Sequence, residues 1–256
     1  TLDSTTGAVL GWTGPQAAVT LRQLLSFTSG LERDPACTSN ALVTLAACVD
    51  GIALLPMEAP PATRFEYGSG HLHVAARMAE VVTGEPWDAI VQRQLRVPLG
   101  LPGDFRYYTY PQQAVGLVNP LIAGGLRASV DEYARVLGLV FQKGLVDGQR
   151  LVSAALFDLQ AREPYPNVVI GASPARAAGL DFRYGLTAWL ECTPPATGCN
   201  SLDSAGAFGF TPWIDRDANY YAILGMELSP GSGTQFALPL EQQLKPLIAQ
   251  AVARLP

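Results

Sequence analysis

Pro61-Ala62-Thr63-Arg64-Phe65-Glu66-Tyr67-Gly68-Ser69-Gly70-His71-Leu72-His73-Val74-Ala75-Ala76-Arg77-Met78-Ala79-Glu80-Val81-Val82-Thr83-Gly84 is the stretch on which the fold reading turns. A short lead-in enters a predicted helix over Ser69 to Thr83, with Leu72, Ala75, Ala76, Ala79 and Val82 on one apolar stripe. Gly84 and Pro86 end it, and Ser69 is a suitable N-cap. His71 and His73 are two apart, so they cannot form an i,i+4 metal pair; they are expected at the helix surface or a pocket rim. Tyr67 to His71 does not make a Gly-x-Ser-x-Gly nucleophile elbow, because its outer positions are Tyr and His. Taken alone, Tyr67 would be an ordinary core or rim tyrosine.

Working outward, Thr20 to Ser29 begins with a capping box, Thr20-x-x-Gln23, and stops at Gly30. Ser129 to Gln142 has a second box, Ser129-x-x-Glu132, and an apolar face of Val130, Tyr133, Ala134, Leu137 and Phe141. Leu240 to Leu255 is an amphipathic segment expected to be kinked, or to start late, at Pro246. Strands are predicted over Phe182 to Glu191, Ala207 to Ile214 and Tyr220 to Glu227, the last two forming a hairpin around Asp215 to Asn219. Pro102 to Pro120 and Arg162 to Leu180 are expected to be irregular. A helical middle followed by a hairpin and a helix predicts an α+β fold (an α/β sandwich), with an antiparallel sheet, flanking helices and a mostly helical lobe. The expected organisation is one domain over 1–256, its helical lobe at about 13–160 and its sheet part at about 180–256.

Hydrophobic residues make up 48% of the 256 and charged residues 15%, which excludes a disordered chain. The net charge is −5 without a basic cluster, so no nucleic-acid or anionic-membrane partner is expected. No apolar run is long enough for a membrane span. The first residues show no targeting peptide, implying that one was removed or that the chain begins downstream of it. Gly124-Gly125 is followed by no phosphate-cradle pattern. The cysteines fall into two local pairs, Cys37/Cys48 and Cys192/Cys199. Neither spacing is that of a zinc knuckle, and with two histidines a Cys/His metal site is not expected. Two local disulfides, and hence a periplasmic or extracellular protein, are one reading; four buried free thiols are the other. Four cysteines allow three pairings, of which the local one has the shortest loops.

Four segments together carry a resemblance. Val19 to Leu31 contains Thr-Leu-Arg-Gln-Leu-Leu and ends Phe27-Thr28-Ser29-Gly30. It resembles the helix that follows the nucleophile helix in serine hydrolases of the penicillin-binding-protein/β-lactamase superfamily, where His usually stands at the Phe27 position. Tyr67-Gly68-Ser69 resembles that family's Tyr-x-Asn/Ser motif, with its usual Pro-Gly-x-x-Phe-x-Tyr lead-in at Pro61. Ala123 to Ser129 resembles its Gly-Gly-Leu-x-Ser/Thr segment, and Ser204-Ala205-Gly206-Ala207 falls where its Lys-Thr-Gly, His-x-Gly or Trp-x-Gly motif lies. No single motif is specific; four in order and spacing are.

The resemblance implies acyl-serine hydrolysis of a small ester or amide without metal or organic cofactor. Tyr67 would be the general base and acid, and Ser69 would hold the lysine or the substrate. Ala207 would donate the second oxyanion N–H from a strand edge kept open by Gly206. Ser204 and Gly206 could equally be a turn before a strand, and Ser29 and Gly30 read as helix-ending residues. Lactamases keep a cationic residue at the third motif for the substrate carboxylate; Ser204 stands there, so an esterase or peptidase-like activity is expected, unless Arg127 or Arg183 takes that role.

The required Ser-x-x-Lys is absent: the two lysines, Lys143 and Lys245, are preceded at i−3 by Val140 and Gln242. Thr1 to Trp12 resembles the segment just after the nucleophile helix, so the expectation is an N-terminal segment of the same protein that carries the motif. The alternative is a catalytically inactive binding or scaffold protein on the same fold.

Overall fold

The computed structural model describes residues 1–109, 118–192, 194–229 and 231–255. In chain order the elements are α1 (Thr6–Leu10), α2 (Leu21–Leu25), α3 (Leu45–Ile52), β1 (Arg64–Phe65), α4 (Ser69–Thr83) and α5 (Trp87–Val91). There follow β2 (Arg106–Tyr107), β3 (Leu126–Arg127), α6 (Val130–Phe141), β4 (Leu145–Val146), β5 (Gln149–Arg150), α7 (Ala154–Gln160), β6 (Val169–Ile170) and α8 (Pro174–Ala177). The chain closes with β7 (Arg183–Tyr184), β8 (Trp189–Leu190), β9 (Ser201–Asp203), β10 (Thr211–Asp215), β11 (Tyr220–Leu224) and α9 (Ser232–Val252). It divides into two compact units, Thr1–Ala128 with Asn167–Ala172, and Ser129–Pro166 with Ser173–Pro256.

The first unit is mostly helical. Its core gathers Val19, Leu24, Leu31, Leu45, Val49, Ile52 and Val74, each at most 2% exposed. Full burial of each such side chain is worth about 1.5–3 kcal/mol. The Cys37–Cys48 disulfide ties the Ala36–Ser39 turn to α3. The capping box at Thr20 forms, but α2 ends at Leu25 rather than Ser29. The reason is Phe27, which sits at φ 54° with its side chain 1% exposed. Burying that ring and pairing its carbonyl with the Glu66 N–H (2.9 Å) takes the backbone out of the helix.

Helix α4 has the predicted bounds, with Gly84 in the left-handed C-cap conformation. Its buried face differs from the predicted stripe. His71, Val74, Ala75 and Met78 point inward at helical spacing, while Val82 is 72% exposed. Both histidines are therefore core residues at 0% exposure, not surface or rim ones.

The second unit holds a five-stranded antiparallel sheet in the order β11-β10-β9-β8-β7. Helices α6 and α9 both pack on β10 and β11, and Thr211 to Ile214 are all buried. Along β9, Leu202 joins the cluster with Leu137 of α6, while the neighbouring Ser201 reaches Lys245 of α9. Alternation of side chains thus sends Asp203 to the α9 face as well. The Ser129 capping box opens α6 as predicted, and Cys192–Cys199 closes the short loop before β9.

Further elements depart from expectation, among them β11, which ends at Leu224 rather than Glu227. Phe182 to Glu191 is not one strand but the β7–β8 hairpin, with Thr187 at φ 61° in its turn. Strand β10 begins at Thr211, because Ser204 to Phe210 forms a hydrogen-bonded loop. Helix α9 begins at Ser232 and contains both Pro239 and Pro246. Each proline costs about 3 kcal/mol in a helix interior; burial of Ala237 and Leu238 against the sheet works against that cost. Within the stretches expected to be irregular, β2, β6 and α8 form, and residues 110–117 lie outside the described residues.

Candidate active site

Tyr67 is positioned by the short parallel pair β1–β6, in which Arg64 and Phe65 face Val169 and Ile170. Just past that pair, the Tyr67 N–H donates to the Ala172 carbonyl (3.0 Å), and the Ala172 N–H donates to Glu66 Oε2 (2.7 Å). Arg64 also pairs with the Glu66 carboxylate. The chain then turns into α4 through Gly68, where a Cβ would lie 2.4 Å from the Arg33 carbonyl oxygen. At Gly70 a Cβ would lie 2.4 Å from the Glu32 carbonyl oxygen and 2.9 Å from Pro35. Gly70→Ala therefore sets about 1 kcal/mol of helix propensity against a backbone clash. The clash wins, and the expected outcome is a net loss of up to about 2 kcal/mol in urea denaturation. An unchanged midpoint would show that the 32–35 loop yields freely.

Ser69 is not the N-cap; Gly68 occupies that position without a side chain to offer. Asp34 caps the helix from the neighbouring loop, accepting from the Ser69 N–H (2.9 Å) and hydroxyl (3.1 Å). The Ser69 hydroxyl also contacts Thr38 Oγ1 at 3.0 Å. Sequence reasoning missed Asp34 because it lies 35 residues upstream of the helix it caps.

Beneath Tyr67 is a buried aromatic group. The Phe27 ring lies 4.7 Å from the Tyr67 ring and 5.3 Å from the His71 imidazole, edge-on to both. Ser29 Oγ is 2.7 Å from His71 Nδ1, and both residues are fully buried. Ser29 is thus a partner of His71 as well as part of the chain turn at Gly30 (φ 74°). Desolvation by burial lowers the pKa of both His71 and His73 to about 4, so both are neutral at physiological pH.

The second unit carries the other predicted residues. Ser204, Gly206 and Ala207 follow β9 directly in the loop that leads to β10. The Ser204 N–H donates to the Pro212 carbonyl (3.1 Å) and the Gly206 N–H to the Phe210 carbonyl (2.9 Å). The start of α9 holds the loop from behind: Thr234 Oγ1 donates to the Gly206 carbonyl (2.9 Å), and a Cβ on Gly233 would fall 2.2 Å from Phe208. Among the described residues, the Ala207 N–H donates to no protein acceptor, and Ala207 is exposed. Ser204 is exposed too, and near it lies Tyr133 of α6, whose pKa burial raises. Tyr133 was legible only as an apolar position of α6.

Arg127 and Arg183 have other partners. The Arg127 guanidinium stacks 4.4 Å from the Tyr108 ring centroid, and Arg183 faces Glu163 at 3.8 Å.

The Beta-lactamase family model matches residues 11–235. The chain belongs to the β-lactamase family. Its members include the serine β-lactamase and penicillin-binding-protein type of hydrolase, and the mixed helix and sheet architecture is theirs. Among its relatives, penicillin-binding protein 4 of Amycolatopsis lactamdurans is 36% identical over 98 residues, 38% of this chain and 25% of that protein. An unguisins hydrolase of Aspergillus violaceofuscus is 29% identical over 120 residues, 45% of this chain and 21% of that protein. The matched stretches thus span a quarter or less of those two relatives. A Bacteroides dorei protein solved as a candidate β-lactamase is 26% identical with a TM-score of 0.75, covering 95% of this chain and 78% of that one.

Proposed function

We propose that this β-lactamase-family chain carries the proton-transfer tyrosine and the oxyanion loop of an acyl-serine hydrolase acting on small esters or amides outside the cytoplasm. The observation that carries the reading is the Ala207 N–H. Among the described residues it is an exposed backbone donor without an acceptor, in a loop braced by Thr234 and Gly233, at the position where the family's oxyanion donor lies. A preorganised donor of this kind stabilises charge that develops only as the reaction proceeds.

In the proposed reaction, a serine on a Ser-x-x-Lys helix outside these 256 residues attacks the substrate carbonyl. Tyr67 takes the serine proton as the C–O bond forms, its own proton passing to the lysine of that motif, and the Ala207 N–H and the serine's own N–H hold the oxyanion. Collapse breaks the bond to the leaving alcohol or amine, which recovers the proton from Tyr67. Water then attacks the acyl-enzyme by the same route and releases the acid. Serine acyl transfer requires no metal or organic cofactor.

Ser204 sets the substrate preference. It offers a neutral, exposed hydroxyl where a lactamase presents a cation to a carboxylate. Arg127 and Arg183 are committed to Tyr108 and Glu163. Two disulfides support an oxidising compartment, and among the described residues no helix is long and apolar enough to cross a membrane.

The test compares neutral p-nitrophenyl acyl esters with a chromogenic cephalosporin, using the full-length natural protein. Turnover of the esters with a kcat/KM at least about tenfold above that for the lactam is expected, since loss of one ionic contact is worth about 1.4 kcal/mol or more. Lactam turnover at equal or greater efficiency would overturn the substrate assignment. Absence of any acyl-enzyme would favour a non-catalytic binding protein on the same fold.

A further inference from the structure

On the α9 face of the sheet unit, three carboxylates converge: Glu191 just after β8, Asp203 at the end of β9 and Glu241 in the middle of α9. One oxygen from each lies within 4.8 Å of the others. Asp203 is 2% exposed, Glu241 0%, and the Glu191 side chain 5%. One cation faces them. The Lys245 ammonium pairs with Glu191 Oε1, donates to Ser201 Oγ (2.8 Å) and lies 3.3 Å from Glu241 Oε1. Gln242 Nε2 donates to Glu191 Oε2 (2.8 Å).

Glu191 is thus well served, but its neighbours are not. Among the described residues, neither oxygen of Asp203 and neither oxygen of Glu241 accepts a hydrogen bond. Buried charge without a counter-charge or donor costs several kcal/mol per ion. Ionised together, three carboxylates against one ammonium carry a net charge of −2, which a single divalent cation cancels.

We propose that Glu191, Asp203 and Glu241 bind a hard divalent cation, with calcium the ion of best fit. The donors are all oxygens, the ligand type of calcium, magnesium and manganese rather than of zinc or copper. One oxygen from each lies close enough to the others to share a single ion, and a cage built from protein oxygens suits calcium better than magnesium, which keeps several of its waters. The oxygens of Asp203 and Glu241, which accept no hydrogen bond among the described residues, are available to the ion, and Lys245 keeps its place on Glu191. The site eludes a search by Cys and His spacing, because its ligands are carboxylates 12 and 38 residues apart in sequence. A cation there also fixes the end of β9, from which the Ser204–Ala207 loop departs.

The test is thermal unfolding of chelator-stripped full-length protein at neutral pH, with calcium, magnesium or manganese added. Calcium is expected to saturate in about the millimolar range. It should raise the unfolding midpoint by about 5–10 °C at a concentration about 100 times its dissociation constant. Calorimetric titration of the wild-type protein should give one calcium per chain. Asp203→Asn, close in shape but uncharged, should abolish the calcium shift while leaving the metal-free midpoint unchanged or higher, since it removes an unpaired buried charge. No shift and no binding heat with any of the three ions would overturn the proposal in favour of two buried protons. A calcium shift that survives Asp203→Asn would overturn it in favour of surface binding.

Discussion

Tyr67→Phe is expected to lower kcat/KM for ester hydrolysis by about 10²–10⁴-fold, the usual contribution of a positioned proton-transfer group. The fold should be unaffected. The ring stays in edge contact with Phe27 at 4.7 Å, and the backbone bond to Ala172 does not involve the hydroxyl. The loss should fall on kcat rather than KM, because the hydroxyl acts on the serine proton rather than holding the substrate. Ester kinetics with the natural full-length protein, alongside a urea denaturation curve, separates the two effects. A decrease of less than tenfold at unchanged stability would remove Tyr67 from proton transfer.

The second large effect is on acid stability. His71 and His73 have folded pKa values of about 4 against an ordinary 6.5, with burial as the first cause in both. Nearby Asp34 and Glu66 pull His71 only slightly upward. Between these pH values the unfolded chain binds protons that the folded chain refuses. The stabilisation is therefore complete above about pH 6.5 and lost as pH falls toward 4, with a slope of up to about 1.4 kcal/mol per pH unit for each histidine. Across the window that amounts to about 3 kcal/mol per histidine, a large share of a typical 5–15 kcal/mol. Urea denaturation at a series of pH values should show this fall in the wild type. The single variants His71→Gln and His73→Gln should each flatten it, although each loses packing at every pH. A pH slope identical in wild type and both variants would contradict the assignment.

What could be read in advance follows from how local its cause is. The capping boxes at Thr20 and Ser129 close within three residues, and both form. The Gly84 stop of α4 and the two disulfides, 11 and 7 residues apart, are local as well. The four motif segments were legible because their residue types and order, rather than any one contact, mark the family. Features set by distant partners were not. Phe27 leaves its helix for Glu66, 39 residues on, and Asp34 caps α4 across a loop. The burial of His71 depends on Ser29 and Phe27, neither of which signals itself from the α4 pattern. Helix α9 runs through two prolines because its face is covered by the sheet, a tertiary gain that local propensity cannot register.

The central claim is that Tyr67 and Ala207 serve a serine nucleophile, and covalent labelling tests it most directly. The natural full-length protein, treated with a fluorophosphonate and mapped by peptide mass spectrometry, should carry one adduct. That adduct should lie on a serine followed three residues later by lysine, outside the 256 residues of this sequence, and Tyr67→Phe should slow its formation. A full-length chain that remains unlabelled, or an adduct on a serine within these residues such as Ser69, would contradict the account.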